Sequence, residues 1–149
     1  MSDLSFPVEL VTPEGQLFTG FADFVAIPAT RGELGFLHHR APIMASLGSG
    51  ELRIHDADGG AVNRYAVNGG FAGTDGEKLV VLASRAQRLD AYDLASLKVR
   101  REELEARLAE HLAAEGLADE DEPNVEIPYL RDELAWVVLV TRLVRWANM

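Results

Sequence analysis

The hydrophobic period of the chain changes once, between Ser84 and Leu89, from the two-residue alternation of strands to the three-to-four-residue recurrence of helices. A strand buries alternate residues and a helix buries a stripe, so the two parts are built differently. The sequence therefore predicts two domains, residues 1–84 and 85–149. Their expected fold is a β-sandwich of about nine or ten short antiparallel strands, followed by a C-terminal antiparallel α-helical hairpin.

In the first part, Phe6 to Val11 is followed by a turn preset by Pro13, then by strands at Leu17 to Ala22 and Phe24 to Ile27. Glu51 to His55 alternates strictly, with Leu52 and Ile54 on one face. The stretch DADGG, Asp56 to Gly60, turns the chain into Ala61 to Val67. Asp75-Gly76 is a hairpin signal that joins Phe71–Thr74 to Lys78–Ala83. Leu79 to Leu82 is apolar on both faces and reads as a central strand. Leu34 and Met44 to Leu47 complete the set.

In the second part, Asp90 is placed to cap a first helix, with Asp93 in its first turn. Leu97, Leu104, Leu108 and Leu112 recur at helical spacing, and Glu103 and Arg107 stand four apart as an ion pair. Gly116 closes this helix, and a polar linker runs to Asn124. A second helix begins near Pro128. At 100° per residue, Trp136, Val137, Val140, Leu143 and Val144 lie opposite a stripe of Arg131, Ala135, Val138, Arg142 and Arg145.

Charge narrows the function. A formal net charge of −10 opposes a nucleic-acid groove, which needs clustered Lys and Arg. Nine acids and one arginine lie between Glu110 and Glu133, whereas the residues from Leu134 onward hold two arginines and no acid; such asymmetry marks an interaction device. The chain has no cysteine, which fits a reducing compartment and rules out thiolate chemistry. The start, MSDLSFPVELV, predicts no signal peptide, and the longest apolar run, Leu134 to Val140, is far short of the ~20 residues of a membrane span.

Thr30 to Met44, TRGELGFLHHRAPIM, is the stretch in which chemistry would be sought. A zinc site needs three or four converging ligands. His38 and His39 are adjacent and point apart if extended, and His55 and His111 add no ligand spacing. No ordered Ser/His/Asp set or isolated carboxylate pair stands out. The glycines of DADGG and NGG lack the lysine of a phosphate loop. No catalytic residue, metal or cofactor is expected. The stretch reads as a structural turn whose exposed Glu33 and Arg40 either face a partner or are merely solvated.

Taken in order, GELGFLHHRAPIM, LGSGELRI and YAVNGGFAGTDGEKLVVLAS resemble the epsilon subunit of F-type ATP synthases. The resemblance implies a non-catalytic sandwich at the foot of the rotary central stalk. It would grip the gamma subunit and touch the polar loops of the rotor ring through Glu33, His38, His39 and Arg40. It also implies a peripheral position on the cytoplasmic face of the energy-transducing membrane, with no direct membrane contact. The C-terminal helices would be a mobile brake on ATP hydrolysis, carried by Trp136, Val140, Arg142, Leu143 and Arg145. Arg142 and Arg145 would meet acidic residues of the catalytic head; the plainer reading is that this apolar face packs at home.

Three departures from the family pattern stand out. Arg40 occupies a position where histidine is usual. Asp93 stands where nucleotide-sensing members carry an arginine, which predicts no ATP binding because an anion repels phosphate. The last helix is more apolar than is common. The competing reading is a free-standing β-sandwich binding module with a self-associating helical tail.

Overall fold

A computed structural model describes residues 4–115 and 125–147, which divide into two compact units, Met1–Ala91 and Tyr92–Met149. Seven strands build the first unit: β1 Phe6–Thr12, β2 Gly15–Ala29, β3 Gly32–Phe36, β4 Ile43–Ser46, β5 Ser49–Asp56, β6 Val62–Thr74 and β7 Leu79–Arg88. The order across the sheet is β1-β7-β6-β5-β2-β3; β4 pairs with β6, and β1 also pairs with β2. The last pairing folds the sheet back on itself and encloses the core.

Two long strands account for the lower count. The expected break near Asp23 is a bulge between Ala22 and Phe24, and β2 runs through it, pairing with β1 on one side of the bend and with β5 and β3 on the other. The expected break between Val67 and Phe71 is a kink inside β6, where Gly69 and Gly70 take φ of 76° and 115°. One pairing is parallel rather than antiparallel: Val8 to Val11 of β1 against Leu79 to Leu82 of β7.

Both hairpin turns lie where the sequence places them, one of them longer than read. The Asp56–Gly60 turn closes with the Asp56 amide donating to the Ala61 carbonyl at 2.8 Å. The Asp75-Gly76 turn spans four residues rather than two, because Oδ1 of Asp75 accepts the amides of Glu77 and Lys78, both at 2.9 Å. Those amide bonds hold the Asp75 carboxyl below the usual carboxylate range. The core gathers the inward residues of every long strand, with Leu10, Ile27, Phe36, Leu52, Ile54 and Tyr65 fully buried. Burial pushes the Tyr65 phenol up, with the Arg88 guanidinium opposing.

The units part seven residues later than expected from the sequence, because β7 continues through Arg85 to Arg88 opposite Tyr65 to Asn68. A 3-10 turn, Leu89–Ala91, then buries Leu89 and ends the first unit.

The second unit contains α1, Leu94–Glu115, and α2, Glu126–Ala147. Asp93, not Asp90, caps α1: its carboxylate accepts the Ala95 amide at 3.0 Å and the Ser96 hydroxyl at 2.9 Å. Asp90 instead pairs with Arg88 at 3.1 Å. Arg107 reaches Glu126 at 3.6 Å, so the late turns of α1 lie beside the first turn of α2, as an antiparallel hairpin requires. That contact replaces the expected Glu103–Arg107 pair; Glu103 meets Arg100 and Glu105 meets Arg101. Leu97 and Leu104 of α1 are buried, Leu108 is half-buried and Leu112 is exposed. Gly116 and the linker to Asn124 lie outside the described residues.

Candidate functional site

The exposed surface of the sandwich carries its most unusual feature on the outer face of β4, β6 and β7. The strand registers set Met44, Gly73 and Val80 in one cross-strand row, and Ser46, Phe71 and Leu82 in the next. Side chains on alternate residues share a face, so these rows form one surface. Met44 is 78% exposed, Phe71 57% and Leu82 52%. Pro42, Ile43 and Val80 join them around a shallow apolar hollow. Gly73 leaves the floor open, and the Met44 side chain lies against it.

Leu79 to Leu82 lies in a central strand, as read, with β7 between β1 and β6. Leu79 and Val81 point into the core, but Leu82 faces solvent. The strand is apolar on two faces, and the sandwich core covers one of them. Contiguous exposed apolar side chains with a polar border mark a surface that another molecule buries. The border is present: Lys78 pairs with Glu9 at 3.0 Å where β7 meets β1, and the Asp75 turn closes one end. Nothing in the sequence pattern separated Val80 and Leu82 from their buried neighbours; only the registers do.

The residues of the Thr30–Met44 stretch do not converge. Glu33 lies next to the tip of the β2–β3 hairpin, whereas His38, His39 and Arg40 lie beyond the far end of β3, roughly 10 Å or more along the strand. Glu33 is exposed, and its Oε1 accepts from Nη2 of Arg53 at 2.6 Å. Arg40 is half-buried, its guanidinium 5.2 Å from the Phe36 ring centroid, within cation–π range. His38 and His39 stack edge to face with centroids 4.9 Å apart, and His39 has a left-handed φ of 57°. The loop that holds them leads directly into Pro42 and Ile43 of the apolar hollow. Among the described residues no three His, Asp or Glu side chains converge as a metal would require.

On α2, Trp136, Val140 and Leu143 are buried together with Val137, Leu139 and Val144. Arg142 and Arg145 are exposed, in one stripe with Arg131, Ala135 and Val138. The helix thus presents a basic face and covers an apolar one. No described helix is long and apolar enough to cross a membrane.

Comparison with known proteins identifies the family of the chain. Residues 5–89 match the family described as ATP synthase, Delta/Epsilon chain, beta-sandwich domain. The chain is 38% identical over 109 residues to the ATP synthase epsilon chain of Pelotomaculum thermopropionicum, covering 73% of this chain and 80% of that one. It is 36% identical over 115 residues to ATP synthase epsilon chain 2 of Nitrobacter hamburgensis, covering 77% and 80%. In fold it is similar to a chain in the OSCP/F1/c-ring structure of Euglena gracilis mitochondrial ATP synthase, with a TM-score of 0.66, 19% identity, and coverage of 97% of this chain and 82% of that one.

Proposed function

The chain belongs to the epsilon-chain family of F-type ATP synthases, whose members are non-catalytic, and we propose that its sandwich is the connector between the gamma subunit and the rotor ring of the central stalk. The observation that supports this most is the apolar face of Met44, Phe71 and Leu82. An exposed face of that kind lowers solubility unless a permanent partner covers it, and gamma is the partner it suits. His38, His39 and Arg40 sit on the loop that leads into this face and extend it.

Glu33 shares a second hollow with Ile43 and Met44, beside the apolar face, and is offered to the polar loops of the rotor ring. Two partners then occupy adjoining surfaces of one rigid body. That is the mechanical requirement for passing torque: the two contacts must not move relative to each other. Strands β1, β2, β5, β6 and β7, each paired on both sides, provide the stiffness. The subunit works at the membrane periphery, on the cytoplasmic face, without entering the bilayer.

The C-terminal hairpin is the regulatory element in this proposal. To act on the catalytic head, α2 must leave its present packing and expose Trp136, Val140 and Leu143. Each large apolar side chain loses about 1.5–3 kcal/mol on exposure, so the head must offer an apolar site of similar quality. Arg142 and Arg145, already exposed, would meet acidic residues there. ATP is not the signal: the Asp93 carboxylate occupies the amide at the start of α1 that an incoming phosphate would need.

The test is add-back to ATP synthase stripped of its epsilon subunit. The full chain binds in a one-to-one ratio with gamma, and Phe71→Asp binds at least tenfold more weakly, as the loss of a central apolar anchor of about 2 kcal/mol implies. Equal binding by both would remove the apolar face from the account.

A further inference from the structure

Glu33 is not a free carboxylate, and the group that holds it comes from two strands away. β5 neighbours β2, and β2 neighbours β3. Arg53 of β5 stands opposite Ala26 of β2, and Ala26 stands opposite Gly35 of β3. Arg53 therefore crosses the whole width of β2 to reach Glu33, a span of about two strand spacings, or ~10 Å. Ala26 beneath it is small, and Gly35, having no side chain, leaves room for the Phe24 ring that lies against it. Behind Arg53 stands Glu51, 3.9 Å from its Nη1 and in turn bound by Arg64 of β6. The result is an alternating row, Glu33–Arg53–Glu51–Arg64, laid across the outer face of the sheet.

Such pairs add little to stability: Glu33 is 56% exposed and Arg53 29%, and solvent screens exposed ion pairs. Their effect is geometric. Glu51 is largely covered and fixed by Arg64, so it sets where the Arg53 side chain can lie. Arg53 then fixes Glu33 through Oε1 alone. The second oxygen, Oε2, is left for another donor.

We propose that Arg53 is a positioning residue for the ring contact: it holds Glu33 so that Oε2 is presented to a cationic or N–H-donating side chain of the partner. The proposal rests on the reading of Glu33 as the ring-facing residue. A long, flexible Glu side chain at the edge of a sheet would otherwise have to be ordered on each encounter, which costs binding free energy. Arg53 removes that cost in advance.

The experiment measures binding of the full chain, and ATP-driven proton pumping, in ATP synthase stripped of its epsilon subunit, using Glu33→Gln, Arg53→Gln, Arg53→Lys and the Glu33→Gln/Arg53→Gln double variant. Glu33→Gln is expected to weaken binding roughly tenfold, the scale of one charge-assisted hydrogen bond, and Arg53→Gln roughly threefold. The double variant is expected to be no weaker than Glu33→Gln alone, because Arg53 acts only through Glu33. Arg53→Lys is expected to recover most of the loss, since the contact uses one nitrogen. Tm of the free chain stays within about 2 °C of the parent throughout. If Arg53→Gln binds normally while Glu33→Gln does not, or if the two losses add, Arg53 has no positioning role and the reading of Glu33 stands. If Lys recovers nothing, the ion pair is not the cause. If Glu33→Gln is itself silent, the ring-facing reading of Glu33 fails.

Discussion

Gly70 shows how tightly single residues are specified. A Cβ there would lie 2.0 Å from the backbone oxygen of Leu82, and its φ of 115° is one that L side chains rarely adopt. Gly70→Ala should therefore destabilise the chain by about 3 kcal/mol or more, read as a fall in the urea midpoint, because backbone rather than a flexible side chain must move. Phe71, the next residue, is the opposite case. It is exposed, so Phe71→Asp should leave the free chain's stability within about 0.5 kcal/mol while disrupting partner binding. Asp93 adds a pH dependence of known sign. Its carboxyl is held low, first by the Ser96 hydroxyl and then by the Ala95 amide. A depressed carboxyl contributes stability above its unfolded value, and that contribution is lost as pH falls through the folded value. Tm should thus drop as pH is lowered below about 4. Asp93→Asn, which still caps but does not titrate, should show a shallower drop.

At the scale of elements, the two helices depend on a small number of deep contacts. Leu104 is fully buried in α1, and Leu104→Ala should cost about 2–5 kcal/mol, detectable as selective loss of helical signal. A crosslink between the late turns of α1 and the first turn of α2, near Arg107 and Glu126, should hold the hairpin closed. If the hairpin brakes hydrolysis by opening, that crosslink raises hydrolysis in the assembled enzyme; an unchanged rate would make the hairpin purely structural. These elements also show what a sequence can reveal. The buried and basic stripes of α2 were legible because helical period alone sorts Trp136, Val140 and Leu143 from Arg142 and Arg145. The hairpin turns were legible because Asp75 and Asp56 act locally, each accepting nearby backbone amides through its own carboxylate. The long strands were not, because a bulge at Asp23 and a glycine kink at Gly69-Gly70 look locally like strand ends. Neither was the parallel pairing of β1 with β7, which joins segments about seventy residues apart and has no local signal. The apolar face was hidden for another reason: its Leu82 satisfies the same pattern as a buried residue, and the sandwich core does not cover it.

At the scale of the whole molecule, a rigid sandwich with two adjoining contact surfaces is followed by a helical hairpin that keeps its apolar face covered. The net charge of −10 keeps such a body soluble despite an exposed apolar face, since like-charged copies repel. The same charge sets a salt dependence. Raising ionic strength should weaken any ring contact through Glu33 and leave the apolar contact with gamma nearly unchanged. The most direct measurement is ATP-driven proton pumping by membranes whose ATP synthase has been stripped of its epsilon subunit, with this chain or its Phe71→Asp variant added at equal concentration. The account predicts that the full chain restores pumping and the variant does not. Pumping that stays absent with the full chain, or returns equally with both, would contradict it.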